Sequence, residues 1–173
     1  MAEPNPLQDI FKSVIVLSAK KVVNRGFVKR GNSLRKRMGD NVAIIEFQKS
    51  MSNTSERLLF TVNLAVVYGE LQEESYPPIE RAGSMSGQLR KRIGMLLPNP
   101  HDKWWEITSV TDQDALADEV SCLIADKGAP YLEPYLDINE LIALWESDRS
   151  PGITAKLCAN YLKKLKEARV INQ

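Results

Sequence analysis

A chain of 173 residues, 43% of them hydrophobic, is long enough for one compact core and too short for two ordinary domains. Its longest nearly apolar run, Leu58 to Tyr68, covers eleven residues and includes Thr61 and Asn63, whereas a membrane-spanning helix needs about 20 apolar residues. The net charge is only +1, but Met1 to Ser50 carries ten Lys/Arg against four Asp/Glu, Glu106 to Asp148 one against eleven, and Arg149 to Gln173 six against one. That layout argues against a uniformly basic nucleic-acid binder and predicts charge pairing within the molecule, or one basic and one acidic face.

The first element is well marked. Asn5 can cap a helix, Pro6 suits its first position, and Leu7, Ile10, Phe11, Val14, Leu17 and Val22 recur at helical spacing until Gly26 stops it. Ser33 to Met38 and Val42 to Ser50 then alternate around Gly39-Asp40-Asn41, residue types that tolerate positive φ, and predict a hairpin. After a Ser- and Asn-rich loop, Met51 to Glu56, the run Arg57 to Tyr68 places Leu58, Phe60, Val62, Leu64 and Val66 on one face at period two. The strands read as an antiparallel meander.

Glu70 to Gly87, with Pro77, Pro78, two glycines and three serines, shows neither period and reads as a long surface loop, a candidate lid or binding loop. Gln88 to Gly94 fits a strand with Arg90 and Arg92 on one face, or a helix joining Leu89, Ile93, Leu96 and Leu97; the strand is the reading taken. Pro98 to Asp102 is turn chemistry, and Trp104 to Ile107 follows as a short strand or packed corner. Thr111 or Asp112 can cap a helix to about Lys127 that Gly128 ends, Asp137 to Trp145 is a shorter helix, and Ser150-Pro151 opens the last one. In that helix Ala155, Leu157, Cys158, Tyr161, Leu162 and Leu165 form the apolar stripe. The expected fold is α+β, an antiparallel sheet of three to four strands packed with an N-terminal helix and C-terminal helices. Residues 1–136 would form the domain, and residues 137–173 a helical extension packed on it.

Five short motifs in order carry a family resemblance: Gly26-Phe27-Val28-Lys29-Arg30-Gly31-Asn32-Ser33, Phe47-Gln48-Lys49-Ser50, Phe60-Thr61-Val62-Asn63-Leu64, Arg92-Ile93-Gly94 and Asp102-Lys103-Trp104-Trp105. Over roughly Leu7 to Leu132 the chain resembles the 4304 family of bacterial domains of unknown function. The resemblance implies a bacterial protein of unassigned activity and brings no catalytic residues. Leu34, where that family is expected to carry an aromatic residue, and the charged Glu46 depart from its pattern.

The residues themselves narrow the chemistry. His101 is the single histidine, so schemes needing two imidazoles, the HExxH zinc site among them, do not apply, and it sits in a proline-bounded loop without a nucleophile elbow. Cys122 and Cys158 follow the helical core spacing without a CxxC partner and read as ordinary core thiols in a reducing cytoplasm. The opening residues, with Glu3, Pro4 and Pro6, do not read as a secretory signal. Asp40, Glu46 and Gln48 loosely resemble a metal-dependent nuclease pattern, but Lys49 falls on the wrong face, and a cross-hairpin pair of Glu46 with Arg35 or Arg37 is the simpler expectation.

The polar residues on the second face of the strands are the better candidates, since amides inside apolar strands destabilise unless hydrogen-bonded. A paired internal network would account for Gln48 and Asn63. The alternative is a ligand-binding face of Glu46, Gln48, Thr61, Asn63, Arg90 and Arg92, with Trp105 of the Trp104-Trp105 pair exposed beside it, although two partly buried packing anchors are the simpler expectation for that pair. The two basic triplets, Arg35-Lys36-Arg37 and Arg90-Lys91-Arg92, would together make an anion-binding patch. The expectation is a non-catalytic module recognising an unknown protein or polar ligand, with no cofactor, no metal and no membrane. Nucleic acid is a possible but not favoured partner. The alternatives are a metal-dependent nuclease or nucleic-acid-associated protein, and a toxin-neutralising, immunity-like partner.

Overall fold

In the computed structural model, which describes residues 5–147, 149 and 153–171, Asn5 turns its side chain back to accept from the amides of Leu7 and Gln8 at 3.1 and 3.4 Å. Pro6, with no amide to leave unpaired, begins helix α1 (Pro6–Val22). Leu7, Phe11, Val14, Ile15 and Val22 form its buried stripe. A single tight turn leads to Gly26, where the chain leaves the helix.

Strands β2 (Ser33–Met38) and β3 (Asn41–Lys49) make the hairpin, with Met38 facing Asn41 across a two-residue turn. Gly39 occupies φ 57° there, a conformation that side chains resist. β3 pairs along its length with β4 (Leu58–Tyr68). Among the described residues the sheet is antiparallel and has six strands, not the expected three to four: β1 (Val28–Arg30), β2, β3, β4 and β5 (Leu89–Arg92) lie in that order, and β6 (Trp105–Ile107) pairs with the start of β4. β6 falls in the segment expected to be a short strand or packed corner, whereas the three residues of β1 are too few for an alternation to register. β1 is moreover exposed at every position. Gln88 to Gly94 does contain a strand, β5 (Leu89–Arg92), followed by one tight helical turn from Ile93.

Alternation along β3 and β4 sorts the strands into two faces. Ala43, Ile45, Phe47, Phe60, Val62, Leu64 and Val66 meet α1 and the later helices in one apolar core. Phe11 stands edge-on to Phe47 and Phe60, with ring centroids 6.4 and 5.2 Å away, geometry that aromatic quadrupoles favour.

Asp112 caps α2 (Gln113–Leu123) by accepting from the Ala115 amide at 3.0 Å. Gly128 does not end the helix. At φ −65° it continues through a wider turn into α3 (Ala129–Leu132), because it is used for packing: a Cβ there would lie 3.2 Å from the Ile93 Cδ1 atom, so the missing side chain lets the helix approach the sheet. α4 (Ile138–Glu146) and α5 (Ala155–Ile171) place Leu141, Trp145, Cys158, Tyr161 and Leu165 in the same core. The Ser150-Pro151 start expected for the last helix lies outside the described residues; the described helix begins after Thr154. No helix among the described residues is long and apolar enough to cross a membrane.

The uneven charge pairs internally: Lys21 with Asp118 at 2.8 Å, and Arg25 and Lys36 with Glu133 at 2.8 and 3.1 Å. Such partly exposed pairs contribute about 0–1 kcal/mol each and mainly fix how the basic strands meet the acidic helices. Cys158 is buried, whereas Cys122 is not a core residue: it is half-buried, with Sγ 2.9 Å from the Lys21 ammonium.

Candidate functional site

The second face of the sheet gathers the polar residues. Register sets Glu46 opposite Asn63 and Gln48 opposite Thr61, while Asn63 faces Arg92 and Ala65 faces Arg90 across β4 and β5. Both basic triplets use the pleat in the same way. Their arginines lie on the second face, and the central lysines turn to the helix side, Lys36 over the Phe27 ring at 5.9 Å and Lys91 over Tyr131 at 4.7 Å. Burial holds the Lys91 ammonium below its ordinary pKa.

The segment between β4 and β5 crosses this face and is fastened to it, not free as a lid. Ile79 and Ala82 cover Val42, Ile44 and Val67. Arg35 donates to the carbonyls of Ala82 and Ile79, each at 2.7 Å. The Glu46 carboxylate accepts from the Ser84 hydroxyl and amide. Glu46 therefore pairs with the loop and forms no ion pair with Arg35 or Arg37. Gly87 passes so close to the sheet that a Cβ would come within 2.8 Å of the Ala65 Cβ. Beside it the buried Gln88 caps the end of β4, its side-chain oxygen accepting from the Tyr68 amide at 2.9 Å.

Where the loop leaves the sheet, an open cleft of about 370 Å³ remains, lined by Gln48, Asn63, Ser84, Met85, Arg90 and Arg92 among others. Asn63 Nδ2 donates to Gln48 Oε1 at 2.6 Å. This joins the amides but leaves the Gln48 NH₂ and the Asn63 carbonyl without a further partner among the described residues. Gln48 is exposed and Asn63 half-buried, so the pair is a wall of the cleft and not an internal network. Arg92 donates to both oxygens of Asp102 at 2.5 Å, the Trp104 indole donates to the same carboxylate at 3.1 Å, and the Arg92 guanidinium lies 5.2 Å from the Trp104 ring. The Arg92 hydrogen bonds hold the Asp102 carboxyl below the ordinary aspartate range.

Three expected site residues are elsewhere, and the first, Glu46, is tied to Ser84 and does not line the cleft. Thr61 is fully buried and donates to the Lys103 carbonyl at 2.8 Å. Trp105 is buried, stacked on Phe60 at 5.5 Å, and donates to Glu119 at 2.9 Å. It is an anchor of the core; Trp104, its neighbour, is the indole beside Arg92. Ser84 and Met85 join the site from the segment expected to be a binding loop, and Asp102 from the turn before Trp104, although no period singled out these residues within them. His101 lies in an exposed turn with Nδ1 2.8 Å from the Asn99 carbonyl. Among the described residues no three metal-ligating side chains come together.

A family model described as Domain of unknown function (DUF4304) matches residues 19–134. Neither the curated proteins nor the solved structures gave a match.

Proposed function

The chain belongs to the DUF4304 family of domains of unknown function, and from that premise we propose that it is a non-catalytic binding module that holds a protein segment or other polar ligand in the cleft on the second sheet face. The Gln48–Asn63 pair carries this reading. Its 2.6 Å bond fixes both side chains and leaves one donor group and one acceptor side by side, the complement of a peptide unit or of another amide-like edge. Arg90 and Arg92 line the same cleft, with Arg92 held in place by Asp102, and Met85, 75% exposed, supplies an adaptable apolar contact. A toxin-neutralising role is one form of this reading. The nuclease alternative has less support, because its leading carboxylate, Glu46, is engaged by Ser84. Two free thiols support a reducing setting, which we take to be a bacterial cytoplasm.

The test is capture from native lysate by tagged wild-type protein and by the Gln48→Ala/Asn63→Ala double variant, with and without nuclease. The reading expects one stoichiometric partner that survives nuclease and raised salt and is lost with the double variant. Recovery of nucleic acid alone, released by salt, would replace it with the nucleic-acid alternative.

A further inference from the structure

We infer that the protein carries a second ligand site, a pocket for the phosphoryl group of a small phosphate monoester, between β1, β2 and residues 79–80 of the loop. It shares no lining residue with the Gln48–Asn63 cleft. Register puts Val28 and Arg30 of β1 and Arg35 and Arg37 of β2 on the second face. With Val42, Ile79 and Glu80 they line a cleft of about 410 Å³.

Charge is the reason to expect an anion there. Arg30 donates to the Glu80 carbonyl at 2.6 Å, Arg35 to the carbonyls of Ile79 and Ala82, and Arg37 to the Gly39 carbonyl at 2.9 Å. Carbonyls satisfy donors without neutralising cations, and each guanidinium has five N–H groups to place. Among the described residues, Arg37 alone of the three has carboxylates within ion-pair reach, Glu80 at 3.4 Å and Asp40 at 3.7 Å, all of them at the exposed surface. Glu46 acts on Arg35 through space while its oxygens bond Ser84. Burial first, and then the like charge of Arg30, hold Arg35 below its ordinary pKa, with Glu46 and Glu80 opposing them through space. A dianionic phosphoryl group would take N–H donors that these bonds leave on the three guanidinium groups, replacing Glu80 beside Arg37. Val28, Val42 and Ile79 offer an apolar wall to the carbon part. Glu80, held near Arg37, stands in for the ligand in the free protein.

Phenyl phosphate is the probe, titrated calorimetrically at fixed ionic strength. We expect saturable binding that is tighter than that of inorganic phosphate. Arg30→Gln and Arg37→Gln, both at exposed positions and so compatible with folding, should each weaken it by about tenfold, the usual effect of one lost charge-assisted hydrogen bond. Glu80→Gln should tighten it severalfold. Lys29→Gln removes the same charge from the opposite face of β1 and should leave it unchanged. The inference is overturned if neither wild-type protein nor Glu80→Gln binds, or if Lys29→Gln weakens binding as much as Arg30→Gln does. Tighter binding of a short oligonucleotide would overturn it in favour of a surface that tracks a phosphodiester backbone.

Discussion

The helix-covered face of the sheet and the face beneath the long loop come from the same strands, alternate residue by alternate residue, and differ in what closes them. On the first, Phe47, Phe60 and Val62 pack with Phe11 of α1 into a continuous core to which α1 to α5 all contribute. On the second, Val42, Ile44 and Val67 are sealed by Ile79 and Ala82, Thr61 and Ala65 are buried beneath Lys103 and Gly87, and amides and arginines open into clefts. Burial on one face supplies the cooperativity of the fold. The other face can therefore keep exposed polar groups that a core would exclude.

The contrast predicts a graded set of responses. Phe60→Ala, on the closed face, should cost about 3–5 kcal/mol and lower the melting temperature by roughly 10 °C for a chain of this size; calorimetry showing a loss below 1 kcal/mol would mean that this core does not hold the fold. Arg35→Ala should cost about 1.5–3 kcal/mol by leaving two loop carbonyls without their charged donor. Its signature should be local, with faster proteolysis between Gln72 and Arg81 while α1 keeps its slow hydrogen exchange; uniform loosening would show that the two faces are not separable. Asn63→Ala, at the cleft wall, should change stability by less than about 1 kcal/mol, measured by urea unfolding, while abolishing ligand capture.

The smallest effect is pH-dependent. Because Asp102 holds its proton less tightly in the folded protein than in the unfolded chain, its pair with Arg92 stabilises the fold above the ordinary aspartate pKa of about 3.9. That contribution fades as the pH falls through the depressed value. With Asp102 half exposed, screening limits the difference between wild-type and Asp102→Asn to about 0.5 kcal/mol near neutrality, shrinking toward zero in strong acid. A difference that grew on acidification would contradict the assignment.

Much of this contrast is legible in the sequence, since period-two alternation in Val42 to Lys49 and Leu58 to Tyr68 already separates Phe47, Phe60 and Val62 from Gln48, Thr61 and Asn63. Helix α1 is equally clear from its cap and stripe. Alternation assigns a face but not its cover. It could not show that Thr61 lies beneath Lys103, or that Trp105 stacks on Phe60 and leaves Trp104 beside Arg92. Both follow from the three-residue strand β6 pairing back to the start of β4, a non-local choice that so short a segment does not advertise. Ser84 binding Glu46 is of the same kind, a contact across 38 residues made by a loop with no period. Gly128 was misleading because the same residue type serves either to end a helix or to let it approach a sheet.

The most direct test of a ligand on the second face uses the methionine methyl groups. Met85 stands at the cleft, and Met38 lies at the hairpin turn, 50% exposed and away from the cleft lining. Protein labelled with ¹³C-methyl methionine would be mixed with the fraction captured by wild-type protein but not by the Gln48→Ala/Asn63→Ala variant. The account predicts that the Met85 methyl resonance moves while that of Met38 stays. Movement of Met38 with Met85 unchanged would place the ligand elsewhere and contradict it.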